Sequence, residues 1–209
     1  MKKFTLFGSV AIVVGLAGCA AMYSSVELDK MSKAVITKSF TPTGQSKMEW
    51  LNQDSVNVAC TEADVAGKDL DSATRKAIES ENMRTIKMPA DGDFLGDWKA
   101  GEKLAQSGKG GTWRDKPGKP NGGNCYNCHQ ISKAEISYGT LGPSLYQYGK
   151  LRGNSEAVLK YTWGKIYNAK AYNACTNMPR FGHSGILTEA QMKDLMALLL
   201  DPNSPVNNN

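Results

Sequence analysis

Apolar residues recur with a helical period most clearly near the end of the chain. They fall on one helical face, at Met192, Leu195, Met196 and Leu199. Thr188, followed three residues later by Gln191, forms a capping box that begins this helix, and Asp201-Pro202 ends it. The pattern therefore predicts a closing helix whose two methionines belong to the core.

Weaker helical patterns precede this helix and are separated by loops rich in glycine and proline. The predicted helices span Ser46–Val58, Ser72–Thr85, Trp98–Ala105 and Ser155–Tyr167. The predicted loops cover 108–123, 139–153 and 178–185. Because no strand of alternating polarity and no internal repeat is evident, we predict an all-α fold. Short helices around long loops bury little apolar surface, so the fold needs a bulky apolar group at its centre.

The first residues have the pattern of an export signal. Lys2 and Lys3 precede an apolar run over residues 4–17, which is shorter than the roughly 20 residues of a membrane-spanning helix. We predict a signal peptide over residues 1–18 and a bacterial periplasmic location. Residues 16–19 also resemble a lipobox, in which Cys19 is acylated and becomes the new N-terminus; plain cleavage after Ala20 or Ala21 is the alternative. Membrane attachment is expected only if Cys19 is acylated.

Composition and charge restrict the function further. The 209 residues are 41% hydrophobic and 22% charged, which is typical of a globular protein. The net charge is +5, and loss of Lys2 and Lys3 with the signal lowers it to +3. No run of five basic residues occurs, and the basic residues over 99–119 are interleaved with Glu102 and Asp115. A nucleic-acid partner is therefore not expected.

The segment Cys125-Tyr126-Asn127-Cys128-His129 carries the most specific chemistry in the sequence. Two thiols at this spacing add to the two vinyl groups of one porphyrin, and the following histidine ligates the iron. The segment predicts one covalently attached haem c, with thioethers at Cys125 and Cys128 and His129 as an axial ligand. The alternatives are a redox-active thiol pair, or a zinc site completed by Cys175 or His183.

A second axial ligand is expected from the loop around Pro179. Met178 and His183 both lie there, and no helical pattern requires an apolar residue at Met178. We predict Met178 as the ligand, with His183 as the alternative. A thioether favours Fe(II) and fills the coordination sphere, which is typical of electron transfer. The Pro143 carbonyl is a candidate acceptor for the second ring nitrogen of His129, although Pro143 is equally explained as a turn former.

Three segments together resemble SoxX, the small c-type cytochrome subunit of the thiosulfate-oxidising SoxAX complex, over about Trp98 to Pro205. They are 123–129, Leu141-Gly142-Pro143-Ser144-Leu145 and the stretch from Met178 to Thr188. The resemblance implies a class I cytochrome c-like fold, with His129 and Met178 as axial ligands and thioethers at Cys125 and Cys128.

The resemblance also implies a role in sulfur oxidation. The partner would be a SoxA-like monohaem or dihaem cytochrome that holds the substrate site. The complex, an L-cysteine S-thiosulfotransferase, would join thiosulfate oxidatively to a cysteine of a SoxYZ-like carrier. This chain would receive the electrons and pass them to a further acceptor. The alternatives are a freestanding periplasmic electron carrier and a haem sensor with a displaceable sixth ligand.

The resemblance leaves an N-terminal extension unexplained. We divide the chain into the signal (1–18), an extension (19–90) and a cytochrome c domain (91–209). Cys60 and Cys175 are the thiols that remain after the haem and the signal are assigned, and the expected compartment is oxidising. We hypothesise a disulfide between them; two free thiols or a bridge to a partner are the alternatives.

Overall fold

The computed structural model describes residues 23–208 and confirms an all-α fold over them. The predicted signal and Cys19 lie outside the described residues. The chain divides into two compact units after Pro42. The described helices are α1 (Ser25–Ser39), α2 (Ser55–Val65), α3 (Ser72–Arg84), α4 (Trp98–Gln106), α5 (Tyr148–Arg152), α6 (Glu156–Tyr167) and α7 (Glu189–Leu200). Short 3-10 helices cover Met48–Leu51, Cys125–Asn127 and Ala169–Ala171. No helix in the described range is both long and apolar enough to cross a membrane.

The described part of the first unit is built on α1, which the sequence patterns did not predict. Ser24 caps this helix by accepting a hydrogen bond from the Glu27 N–H, and Glu27 bonds back to the Ser24 N–H. No residue of α1 is buried, so its capping, rather than a packed face, defines where it begins.

The second unit is centred on the contact between α4 and α7. A Cβ on Gly101 would lie 2.7 Å from the carbonyl carbon of Asp194, so glycine allows the two helices to touch. The Asp194 carboxylate accepts from the Asp97 N–H at 2.8 Å at the start of α4. The predicted capping box of α7 is present, and all four residues of its predicted apolar face are buried.

Helix α6 completes the core from the other side. Trp163 is 1% exposed and packs edge-on against Phe94, with ring centroids 5.9 Å apart. The same core includes Tyr126, Ile131, Ile166, Phe181, Leu187 and most of α7. Tyr126 belongs to the predicted haem segment and Ile131 follows it by two positions, so that segment lies against the main core.

Within the second unit, residues 43–90 pack against the later helices through polar as well as apolar contacts. Trp163 donates its indole N–H to the Lys87 carbonyl at 2.7 Å, and the buried Asn168 amide donates to Asn82 Oδ1 at 2.9 Å.

The predicted helix over Ser46–Val58 is wrong. Asp54 accepts a hydrogen bond from the Asn57 N–H and begins α2 there, with a separate 3-10 helix before it.

Candidate haem site

The segment from Cys125 to His129 forms a tight turn on the core. Asn124 enters it at φ 50°, a left-handed conformation that asparagine tolerates. The Cys128 and His129 N–H groups both donate to the Cys125 carbonyl, at 3.1 and 2.9 Å. Cys125 and Cys128 are both free cysteines, and Cys125 packs against the core. Both sulfurs are thus available for thioether bonds.

The loop over residues 139–145 is held along this turn by backbone hydrogen bonds. Gly139 donates to Tyr126, Gly142 to Cys128, and Leu145 to Gln130, at 2.8, 2.8 and 2.7 Å. The Ser144 hydroxyl adds a bond to the Gln130 side chain at 2.9 Å. The haem segment and the following loop therefore form one rigid piece.

The orientation of the His129 ring follows from this loop. Its Nδ1 lies 2.7 Å from the Pro143 carbonyl oxygen, which can only accept, so Nδ1 carries the proton. The lone pair then resides on Nε2, the atom free to ligate a metal. A Cβ on Gly142 would lie only 2.5 and 2.7 Å from Nδ1 and Nε2, so the ring occupies the space that this glycine leaves. This donor set fits a haem iron.

The two alternative uses of the thiols fit less well. Burial raises the pKa of the Cys125 thiol to about 12, so this thiol is protonated at neutral pH and would be a poor nucleophile in a redox-active pair. Of the two residues proposed to complete a zinc site, Cys175 is bonded to Cys60, which leaves His183 as the remaining candidate. Within residues 23–208, no three His, Cys, Asp or Glu side chains are grouped to hold a metal ion.

The two candidate sixth ligands lie in different environments. Met178 is partly buried and packs against the same core as Cys125, and its N–H donates to Thr176 Oγ1 at 3.2 Å. The His183 side chain is exposed. Met178 thus stays the predicted ligand, with its side chain on the same core against which Cys125 packs.

The Tyr126 hydroxyl makes buried polar contacts that the sequence analysis did not predict. The Tyr126 hydroxyl lies 3.1 Å from both Glu102 Oε1 and the fully buried Ser132 Oγ. Burial raises the pKa of Tyr126 to about 12 and raises the pKa of Glu102 above its ordinary value. The contact between Tyr126 and Glu102 joins α4 to the haem segment, and no sequence motif indicates it.

The structure joins Cys60 of α2 to Cys175 by a disulfide bond. Cys175 lies three positions before Met178, so residues 43–90 are covalently tied to the segment that carries the predicted ligand. Arg180, two positions after Met178, pairs with Asp54 at the start of α2. Sequence reasoning had no signal for this ion pair, whose members lie 126 positions apart.

The comparisons with known proteins identify the domain in which these residues lie. Residues 99–201 match the Cytochrome c family, so the chain contains a cytochrome c domain, its cofactor is a covalently attached haem c, and its fold is class I cytochrome c-like. The matched range includes Cys125, Cys128, His129 and Met178.

A relative of similar length is known from Aquifex aeolicus (strain VF5), where it is described as an uncharacterized lipoprotein. It is 35% identical over 202 residues, and the alignment covers 91% of this chain and 94% of the relative. The chain belongs to the same family as this protein, and the likeness includes residues 43–90 as well as the cytochrome c domain.

Proposed function

We propose that this protein is an exported electron-transfer cytochrome whose haem iron is held by His129 and Met178. The observation that carries the proposal is the hydrogen bond from His129 Nδ1 to the Pro143 carbonyl, which leaves Nε2 for the iron. When bound, haem c supplies one-electron exchange between Fe(II) and Fe(III). A methionine on the core would fill the remaining axial position and favour electron transfer over ligand binding.

The protein's own contribution is to hold both ligands still. The 139–145 loop fixes the imidazole, and the main core packs against Cys125 and Met178. Ligands held in one geometry do not have to move when an electron arrives or leaves. The surrounding apolar side chains also lower the local polarity, which is a second way to raise the reduction potential.

The sixth ligand is tested by a matched pair of variants, Met178→Ala and His183→Ala. In the haem-loaded protein, we expect Met178→Ala to remove the methionine-to-iron charge-transfer band and to let the reduced form bind carbon monoxide. His183→Ala should retain the band and stay unreactive. The reverse pattern would assign the ligand to His183, and a native protein that binds carbon monoxide freely would favour a haem sensor.

We further propose that the electrons come from a SoxA-like cytochrome during oxidative coupling of thiosulfate to a SoxYZ-like carrier. The support is the sequence resemblance over 123–129, 141–145 and 178–188. The test is purification of the native protein from its own cells. A stable complex with a second haem subunit is expected, and reduction of this haem by thiosulfate should require that subunit and the carrier. A haem protein that purifies alone would favour a freestanding electron carrier.

We propose lipid attachment at Cys19 as well. The lipobox-like residues 16–19 support it, and the Aquifex relative is described as a lipoprotein. The mature N-terminal peptide should carry a diacylglycerol mass on Cys19, and Cys19→Ser should release the protein from membranes. An unmodified N-terminus at Ala21 or Met22 would instead establish plain signal cleavage.

A further inference from the structure

We propose that residues 54–79 act as a clamp that keeps Met178 on the haem iron. This inference rests on the proposed role of Met178 as the axial ligand. It assigns a function to the part of the second unit that precedes the cytochrome c domain. The clamp consists of positioning residues, none of which is proposed to touch the iron.

Met178 needs support from outside its own segment. It lies between the 3-10 helix Ala169–Ala171 and α7, in a stretch with no helix of its own. Its N–H bonds only locally, to the Thr176 side chain. The backbone bonds that tie this stretch to α6, from the Gly182 and His183 N–H groups to the Tyr167 carbonyl, begin four positions after Met178. The residues next to Met178 therefore depend on other contacts to stay in place.

The first support is the disulfide between Cys60 and Cys175. Cys60 lies within α2, which is anchored at its start by the Asp54 cap, and Cys175 lies just before Met178. Because of this bond, the residues just before Met178 cannot move far from α2 unless α2 moves with them.

The second support acts on the other side of Met178. Arg180 pairs with the Asp54 carboxylate, and the two side chains are only 21% and 37% exposed. Burial raises the pKa of Asp54, but hydrogen bonds from the Asn57 N–H and Arg180 outweigh it and hold the pKa below its ordinary value. A partly buried, charge-assisted hydrogen bond is stronger than an exposed ion pair.

Two further bonds hold the start of the segment at Ala174. The buried Lys170 donates its ammonium to Asn57 Oδ1 of α2 at 2.8 Å and to the Ala174 carbonyl at 3.2 Å. Glu79 of α3 accepts from the Ala174 N–H at 3.3 Å. Residues of α2 and α3 therefore restrain the segment at Ala174, Cys175 and Arg180, on both sides of Met178.

The test uses the haem-loaded protein and two variants of the clamp. Asp54→Asn removes the charge that faces Arg180 but keeps an oxygen to cap α2, because asparagine is as good a cap as aspartate. The double variant Cys60→Ser/Cys175→Ser removes the covalent tie. Glu156→Gln is the control, because it removes an ion pair with Lys160 on the exposed surface of α6.

The readouts are the methionine-to-iron charge-transfer band and the rate at which the reduced protein binds carbon monoxide, with circular dichroism to confirm folding. Since hydrogen bonds to charged groups are the stronger class, we expect Asp54→Asn to raise the rate about tenfold. The disulfide variant should raise it at least as much and weaken the band, while Glu156→Gln leaves both unchanged.

The outcomes separate the clamp from the proposed function. If folded clamp variants keep the native band and bind carbon monoxide at the native rate, the clamp is refuted while Met178 stays the ligand. If the clamp variants lower only the melting temperature, residues 54–79 have a purely structural role and the clamp is again refuted. If the native protein itself lacks the band, the ligand assignment fails first. Should the disulfide variant fail to fold, Asp54→Asn alone decides.

Discussion

Replacement of Gly142 by alanine should displace the His129 ring. The added Cβ would lie 2.5 Å from Nδ1 and 2.7 Å from Nε2, about 1 Å closer than the ~3.5 Å at which such atoms pack well. The loop cannot retreat easily, because the Gly142 N–H is bonded to the Cys128 carbonyl at 2.8 Å. The ring must therefore move.

The size of the effect follows from what that movement breaks. A shift of about 1 Å extends the 2.7 Å contact between Nδ1 and the Pro143 oxygen beyond hydrogen-bond range. Overpacking typically costs about 1–3 kcal/mol, and the lost hydrogen bond adds about 1 kcal/mol. For a domain of this size, a total of about 2–4 kcal/mol lowers the melting temperature by about 5–15 °C.

The assay is thermal unfolding of the haem-loaded protein followed by haem absorbance, with a reduction titration of the same samples. Gly108→Ala is the matched control, since a Cβ there would first meet another atom at 3.4 Å. We expect Gly142→Ala to lower the melting temperature and to raise the reduction potential, because loss of the Nδ1 hydrogen bond makes His129 a less basic ligand. Gly108→Ala should change neither appreciably. Equal melting temperatures for the two variants would refute the close packing of His129 on Gly142.

Three other predictions concern the polar and packed contacts around the haem segment. Burial raises the pKa of Glu102 in the folded state. The stability that the Glu102 side chain contributes is therefore complete below its ordinary pKa of 4.5, and it is lost as pH rises through the higher pKa of the folded state. Glu102→Gln, which keeps a partner for Tyr126, should thus gain stability relative to the native protein between about pH 4 and pH 7 in urea unfolding; parallel pH curves would contradict this. Trp163→Phe should cost about 2–4 kcal/mol, through a cavity and the lost bond to the Lys87 carbonyl, and should speed proteolysis of residues 43–90. Gly101→Ala should cost about 1–3 kcal/mol by forcing α4 from α7, and an unchanged urea midpoint would argue against their close contact.

The elements that could be predicted are those with local signals. The capping box at Thr188 and the apolar face of α7 defined that helix nearly to the residue, because both depend on neighbours within one or two turns. The haem segment could be predicted equally well, since five consecutive residues contain both thiols and the histidine that attachment requires. Helix α2 was misplaced because the apolar pattern over 46–58 continues across Asp54, where the cap begins a new helix.

The arrangement of residues 43–90 depends on distant contacts and could not be read from the sequence. Asp54 and Arg180 belong to no sequence motif. In the sequence Lys170 cannot be distinguished from a surface lysine, but in the structure its ammonium bonds to Asn57 and Ala174. The bond between the Tyr126 hydroxyl and Glu102 also depends on the tertiary fold, because Glu102 lies on α4, which packs against α7. Such pairs are specified by the tertiary fold, and a single sequence does not indicate them.

The bond between Cys60 and Cys175 also sets a condition on how the protein can be made. The chain between these residues contains Cys125 and Cys128, and four cysteines can pair in three ways. The shortest ring, between Cys125 and Cys128, closes most readily, and a chain oxidised there has no thiol left for the porphyrin. Biosynthesis must therefore treat two thiol pairs of one molecule oppositely, oxidising the distant pair while the near pair stays reduced until haem arrives. A host that exports this chain faster than it delivers haem will accumulate mispaired protein.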